Sequence, residues 1–369
     1  MKIPESFMKR YKMKRTIVMV SLLIFSIYFG GCFKSNDMEE NDNPKDFVEY
    51  VLQVRETKEY IPIVISEDGL TPLLFAMKNN DAEAVCLFLK TGASFSEADV
   101  NGNDFWDYFI QMSDISAKIQ IANETIDLQW LASSGKENYM AVYEYMLDND
   151  IEYEVIKSLV NRGIINPDYG EYAGKSVLMF AAQRNTDVRI IDCFLTHAKQ
   201  INKQSDNKWT AAMYAARYNP NPQIIEQFVL KKANLEPNEF GITLTMLAAC
   251  NSNPGVLLKI PNAKNEVNLC TLNGKTALMY ACENAQDLAS IKILVEKFGS
   301  DVNLADKDGK TALMYALASY SRIDVIEYLI NAGASVDVVD LHGNGLNYYL
   351  KSNSVLKQSK LSLILGNGE

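Results

Sequence analysis

The sequence predicts an all-α fold, a solenoid of stacked two-helix units, and three observations carry that expectation. The eight residues GKTALMYA occur twice, at Gly274–Ala281 and again at Gly309–Ala316, 35 residues on. Aligned on the Thr of that stretch, related segments stand at Thr71, Ser176, Thr210 and Thr243, with spacings of 34, 33, 33 and 35 from Ser176 to Thr311. Each is followed by a second apolar run that closes on a glycine or an equivalent turn, as in "EAVCLFLKTGAS", "ASIKILVEKFGSDVNLAD" and "DVIEYLINAGASVDVVD". A fixed period of this length marks an array in which neighbours supply the core that one unit of two short helices cannot bury alone.

Taken in order, the first good unit begins at "DGLTPLLFAMKN". Steps of 33 lead to degenerate units at Asp104 ("NGNDFWDYF") and Glu137 ("GKENYMAVY"), and a step of 39 reaches Ser176. The regular units at Ser176, Thr210, Thr243, Thr276 and Thr311 follow, and a last degenerate one lies at Gly345 ("HGNGLNYYL"). The weakest stretch, about 111–170, reads as an irregular part of the same array, with an insertion near "LDNDIEYE". Residues 47–66 read as a helix capping the first unit, and "LKQSKLSLILGNGE" as a closing helix with a frayed tail.

This pattern resembles the ankyrin repeat, whose core reads D-x-x-G-x-T-P-L-H-x-A-A, followed by a second helix and G-A-D-V-N. The resemblance covers roughly residues 67–350 and implies an ankyrin-repeat α-solenoid, with paired antiparallel helices joined by short β-hairpin loops. Thr276 or Thr311 can cap a first helix by accepting backbone amides. Ala281 and Cys282 are small enough for a neighbouring unit to approach closely, and Gly299 or Gly333 ends a second helix where a left-handed conformation costs least. The chain departs from the family in two ways. Its Pro survives only at Pro72, and its His becomes Met179, Met213, Met246, Met279 and Met314, a stripe that reads as core. The hydrogen bonds that this His makes to adjoining units are lost, so apolar packing is expected to carry more of the load.

Before the array stand basic residues up to Arg15, an apolar run from Thr16 to Phe29, and then Gly30-Gly31-Cys32. That order is the mark of an export signal. The run has 14 residues, short of the roughly 20 that span a bilayer as a helix. Small residues before a cysteine resemble the lipobox of bacterial lipoproteins, which implies residues 1–31 as a signal peptide and lipidation at Cys32. Phe29 departs from the aliphatic residue usual there, and an uncleaved signal anchor is the alternative. Met13-Lys14-Arg15 makes a more typical signal start than Met1. Residues 32–46, acidic and polar, read as the lipidated cysteine and its flexible tether. The expected location is therefore exported and membrane-anchored, facing the periplasm or the cell surface.

Composition narrows the function classes. Six of the 36 basic residues and one of the 46 acidic ones lie within residues 1–31, so the remainder carries 30 against 45, a formal −15. A general nucleic-acid surface is not expected on such a chain. Beyond Cys32 the cysteines are Cys86, Cys193, Cys250, Cys270 and Cys282, an odd number with no CxxC pair. Four lie in apolar helical stretches and read as core thiols, with disulfide or metal roles left open. The two histidines, His197 and His342, stand 145 positions apart, at the end of a second helix and in a hairpin, with no cysteine evidently placed as a partner. No nucleophile-elbow, dinucleotide or P-loop motif appears. "DKDGK" (Asp306–Lys310) fails as a calcium loop, because Leu304 and Tyr315 would occupy positions that need carboxylates. No enzyme activity, cofactor, metal or small-molecule substrate is expected.

Binding remains. Ankyrin arrays bind mostly through a concave side made of hairpin tips and the exposed face of each first helix, and the resemblance places these positions residue by residue. They are Tyr172, Lys175 and Arg184; then Asp206, Trp209, Arg217 and Tyr218; then Glu239, Phe240, Ile242 and Asn251. Asn273, Lys275, Glu283 and Asn284 follow, and last Lys307, Asp308 and Lys310. Tyr172, Trp209, Tyr218 and Phe240 are aromatic where repetition does not demand it, and aromatics with Arg between them are the composition of binding hot spots. Packing of Trp209 and Phe240 against adjacent hairpins is the alternative. The expected function is protein–protein binding by a membrane-anchored array. Its competitors are a structural or protective envelope protein without a groove and an enzyme built on residues 111–170.

Overall fold

A computed structural model describes residues 44–60, 66, 69–94, 97–125, 151–163, 165–170, 172–284, 288–319 and 322–353. The signal region, Cys32, most of the tether, the unit at Glu137 and the expected closing helix lie outside them. Helix α1 is Pro44–Thr57, so it starts before the expected 47 and ends well before 66. Proline suits a helix's first turn, where its missing N–H has no partner to lose. Lys58, at φ +57°, then turns the chain out of the helix.

Two-helix units follow: α2 (Pro72–Lys78) with α3 (Ala82–Lys90), and α4 (Phe105–Gln111) with α5 (Ile115–Thr125). Helix α6 is Tyr153–Asn161. Next come α7 (Val177–Arg184) with α8 (Val188–His197), and α9 (Ala211–Tyr218) with α10 (Pro222–Leu230). After α11 (Leu244–Ala248) the partner element is a 3-10 helix, Pro254–Lys259, and then the single turn α12, Ala263–Glu266. Helix α13 (Ala277–Glu283) pairs with α14 (Ala289–Lys292), which continues as a π-turn, Ile293–Lys297, rather than as the uniform helix expected. Helices α15 (Ala312–Ala318), α16 (Ile323–Asn331) and α17 (Leu346–Ser352) complete the order.

First helices stack on first helices and second on second. A first helix is thereby enclosed by two neighbours and its own partner, which is why it is apolar all round: Ala211 to Ala216 of α9 are all buried. The Met stripe is core, with Met179, Met213, Met246, Met279 and Met314 all buried. In the irregular region α6 packs on α5 on one side and on α8 on the other. The Lys118 ammonium, on a side chain only 2% exposed, fastens this joint by donating to the Ile110 carbonyl (2.8 Å) and to both Glu152 oxygens (2.8 and 2.9 Å).

The caps form largely as their residue types predict. The hydroxyls of Thr71, Ser176, Thr210, Thr243 and Thr276 accept the backbone amide three residues on. Met179, Met246 and Met279 return the bond weakly, each sulfur receiving the cap residue's own amide at 3.4–3.5 Å. Thr311 departs from the expectation: its hydroxyl is buried and has no hydrogen-bond partner.

A second departure concerns the links between units. Loss of the family's His does not leave packing alone, because asparagines just past the first helices reach back to the preceding unit. The Asn219 amide donates to the carbonyls of Ala182 (2.9 Å) and Asn185 (2.8 Å), and that of Asn251 to Ala216 and Asn219 (both 2.9 Å). Asn353 does the same to Leu317 (3.1 Å) and Ser319 (2.7 Å). These include carbonyls near helix ends, which have no intrahelical donor. Asn251, expected on the exposed face, is therefore a buried tie, 6% exposed.

Among the described residues no strand forms, and the hairpins hold single antiparallel bridges such as Cys270 with Thr276 and Ala305 with Thr311. Their tips are joined along the array: Asp206 N–H donates to Ala173 O, Leu272 to Phe240, Lys307 to Asn273 and Leu341 to Asp308, at 2.8–3.0 Å. Gly274 shows why the family pattern needs glycine here. Its φ is +83°, and a Cβ would stand 2.8 Å from the Lys307 amide nitrogen.

Candidate functional site

The exposed face is assembled from hairpin tips and the ends of first helices, and each tip is stiffened by its own first polar residue. Asp306 Oδ1 accepts the amides of Asp308 (2.9 Å) and Lys310 (2.8 Å), while its Oδ2 accepts the Tyr315 hydroxyl at 2.6 Å. Both oxygens of "DKDGK" are thus engaged by their own turn and helix. Asp99 with Tyr108 (2.9 Å), Ser205 with Tyr214 (3.2 Å) and Asp340 with Tyr349 repeat the arrangement. The nine-residue spacing from a polar side chain to a Tyr is the signal in the sequence that could have found these pairs.

Tyr214 brings several expected residues together. The Lys175 ammonium lies 4.6 Å over its ring and 5.2 Å over that of Phe180, and donates to Gln183 at 3.2 Å. The half-buried Trp209 is 5.3 Å from Tyr214 and 6.2 Å from Tyr218, ring centre to ring centre. Arg217 covers Tyr218 at 5.2 Å, and its Nη1 donates to the Cys250 carbonyl of the next unit at 2.6 Å. Lys175, Tyr214, Trp209, Tyr218 and Arg217 thus form one cluster from two units, tied to a third through the Cys250 carbonyl, with Tyr218 45% exposed. A related arrangement stands further on, where Lys275 lies 4.4 Å over Tyr315 and 5.3 Å over Tyr280 and pairs with Glu283 at 2.8 Å.

Others are placed differently. Phe240 projects from its tip, 44% exposed, while Ile242 is half-buried against the core. Asn273 and Lys307 are exposed and joined through their backbones. Asn284 is exposed and donates to its own helix at Tyr280 O (3.1 Å). Glu239 pairs with Lys208 at 3.6 Å and Lys310 with Asp308 at 3.5 Å. Arg184 and Asp206 are exposed; the side chain of Tyr172 lies outside the described residues.

The expectation that no cysteine stands beside a histidine is corrected at one place. Cys193 and His197 are one turn apart on α8, with Sγ 4.0 Å from Nδ1. The same Nδ1 stands 2.8 Å from the Cys193 carbonyl, an acceptor that requires it to be the N–H donor, so this nitrogen cannot also take the thiol's proton. Burial, aided by Asp192, pushes the Cys193 thiol up. Burial likewise pushes Cys250 up to about 11, against the pull of Arg217. Neither is a poised nucleophile. Cys86 and Cys282 are buried, but Cys270 is exposed in a hairpin, outside the core-thiol expectation for the helical cysteines.

Capped apolar first helices, stacked partners and a joined row of hairpin tips are the geometry against which known families can be compared. A family model described as ankyrin repeats, in three copies, matches residues 178–261 and 245–340. Residues 178–340 are ankyrin repeats. No curated protein matches the chain. Ankyrin repeats suggest a protein–protein interaction module. Within the ankyrin array Trp209, Arg217, Tyr218 and Glu283 lie where the units differ from one another, while Lys175, Tyr214, Lys275, Tyr280 and Tyr315 stand at positions that recur.

Proposed function

We propose that this chain is a membrane-anchored ankyrin-repeat protein that binds another protein through its concave, hairpin-tip face. The observation that carries this reading is the cluster of Trp209, Tyr214 and Tyr218 flanked by Lys175 and Arg217. Aromatic and Arg side chains dominate binding hot spots, and here Arg217 is already held by a neighbouring unit's carbonyl. Less side-chain freedom is then left to lose when a partner arrives. Anchoring is supported by the order basic segment, apolar run, Gly30-Gly31-Cys32 and acidic tether. No helix among the described residues is long and apolar enough to cross a membrane.

Two experiments test the two halves. Partner capture from the source cell by the full chain is compared with capture by the Trp209→Ala, Tyr218→Ala double variant. The expected loss is at least about 30-fold, the effect of removing one hot-spot residue, with an unchanged thermal melt. Undiminished capture by a folded variant overturns the concave-face reading. Incorporation of labelled palmitate is expected in the wild type and not in Cys32→Ala; label that persists in the variant removes the lipid anchor.

A further inference from the structure

The joints between successive units are not equally fastened. Between the units of Thr210 and Thr243, the Asn251 amide donates to Ala216 O and Asn219 O, Arg217 Nη1 to Cys250 O and the Asn253 amide to Pro220 O at 2.7 Å, while Lys259 pairs with Glu226 at 2.6 Å. Between the units of Thr276 and Thr311, the Ser319 hydroxyl donates to Cys282 O (2.9 Å), the Tyr328 hydroxyl to Glu296 (3.0 Å) and the Asn303 amide to Gly333 O (3.0 Å), with Lys275 over Tyr315. The intervening joint, from the unit of Thr243 to that of Thr276, is held more thinly. The bonds described across it are two backbone amides, Leu272 to Phe240 O and Asp301 to Asn268 Oδ1 (both 2.9 Å), and the Cys250 thiol, a weak donor, to Tyr280 O at 3.4 Å. Asn284 occupies the tie position, eight residues past Thr276 as Asn251 is past Thr243, yet its amide donates to Tyr280 O of its own helix. Its ψ is +12°, whereas the tying Asn219 and Asn353 are extended, at +120° and +101°. Asn79, at ψ +7°, likewise bonds its own helix at Phe75 O.

The unit of Thr243 is also weak in itself. Its first helix, α11, has five residues against eight in α9 and seven in α13 and α15. Thr245 stands where Leu178, Leu278 and Leu313 stand in their units, and its hydroxyl is buried without a hydrogen-bond partner. The 3-10 helix Pro254–Lys259 takes the place of a second α-helix, and across the joint the π-turn Ile293–Lys297 interrupts the next one. Both carry poorer hydrogen-bond geometry than an α-helix. Stability in a linear array is close to a sum of unit and neighbour terms, so cooperativity breaks where a weak unit meets a thin joint. We propose that the array is divided there into two cooperative blocks that open independently, the units of Ser176, Thr210 and Thr243 on one side and those from Thr276 onward on the other. The Trp209 cluster lies on the first block and the Lys275 arrangement on the second, so the hairpin-tip face is shared between them. This division does not depend on the protein-binding reading above.

The test is native-state hydrogen exchange of the full chain in increasing urea, read by mass spectrometry and corrected for intrinsic exchange rates. Below the global transition the helices are expected to exchange in two groups, α7, α9 and α11 together and α13, α15 and α16 together, with rates at least about tenfold apart. One common rate from α7 to α16 overturns the inference, as does a break between α9 and α11 or between α13 and α15 instead. Asn251→Ala is expected to detach α11 from the first group, because its tie to Ala216 and Asn219 is lost. Asn284→Ala removes only a bond to its own helix and is expected to leave the profile unchanged. If Asn251→Ala leaves α11 in its group, or if Asn284→Ala lowers protection as much as Asn251→Ala does, the asparagine ties do not set the boundary and the inference falls. Should Asn251→Ala fail to fold, the wild-type profile and the Asn284→Ala variant still decide it.

Discussion

The two units that spell GKTALMYA are identical over eight residues and differ in what those residues do. Thr276 caps its helix, but Thr311 leaves its hydroxyl buried without a partner. Lys275 lies across Tyr280 and Tyr315 and pairs with Glu283, eight residues on. Lys310 has Ala318 at that distance and turns instead to Asp308 in its own hairpin. Identical residues thus acquire different surroundings from residues that the repeat leaves free to vary. The shared Leu, Met and Ala residues build the scaffold, and unshared residues such as Glu283 and Ala318 decide what the shared lysine meets.

Four experiments break or sharpen this comparison. Leu278 and Leu313 are fully buried at the same position of the two units, so Leu→Ala at each is expected to cost about 2–5 kcal/mol in urea unfolding. A gap between them as large as the effect itself would show that the scaffold positions are not equivalent. Removing only the hydroxyl comes next. Thr276→Val is expected to cost about 1 kcal/mol through loss of the cap, whereas Thr311→Val is expected to be neutral or slightly stabilising, since an unsatisfied buried group is removed. Equal losses would sink the claimed difference in capping.

Ala318→Glu gives Lys310 the partner that Lys275 has. An exposed pair of this kind contributes about 0.2–1 kcal/mol, so a small rise in the unfolding midpoint at low salt is expected, fading as salt is added. The narrowest effect concerns the hairpin after Asp306. Burial alone would raise the Asp340 carboxyl, but bonds from Tyr349, Asn344 and the His342 amide outweigh it and hold the group well below the usual carboxylate range. A depressed folded-state value means stability that is present above the ordinary Asp value of about 4 and is lost as pH falls toward the folded one. Asp340→Asn is expected to flatten the acid limb of the melting temperature between about pH 4 and pH 2. An unchanged limb would show that the carboxylate contributes nothing there.

Legibility followed the physics of each feature. Caps, the Met core and the glycine turns were readable because each depends on one residue type at a fixed offset. The asparagine ties were not: Asn251 was expected on the exposed face, and only the neighbouring unit's unsatisfied carbonyls make it and Asn219 buried donors. Nor were the roles of Tyr214 and Tyr315, whose rings lie under lysines from the preceding unit. Of the candidate residues, Tyr218 and Phe240 are exposed, Trp209 and Arg217 are half-buried, and Asn251 lies in the interior.

By itself the sequence determined the period, the two-helix unit and the array built from it, because local propensity and apolar spacing repeat with every copy. The tertiary structure alone decided which identical residues differ in role, which asparagines tie units together, and which aromatics meet across a unit boundary. Those outcomes depend on contacts between residues some 30–37 positions apart, and no local pattern encodes what a neighbour presents.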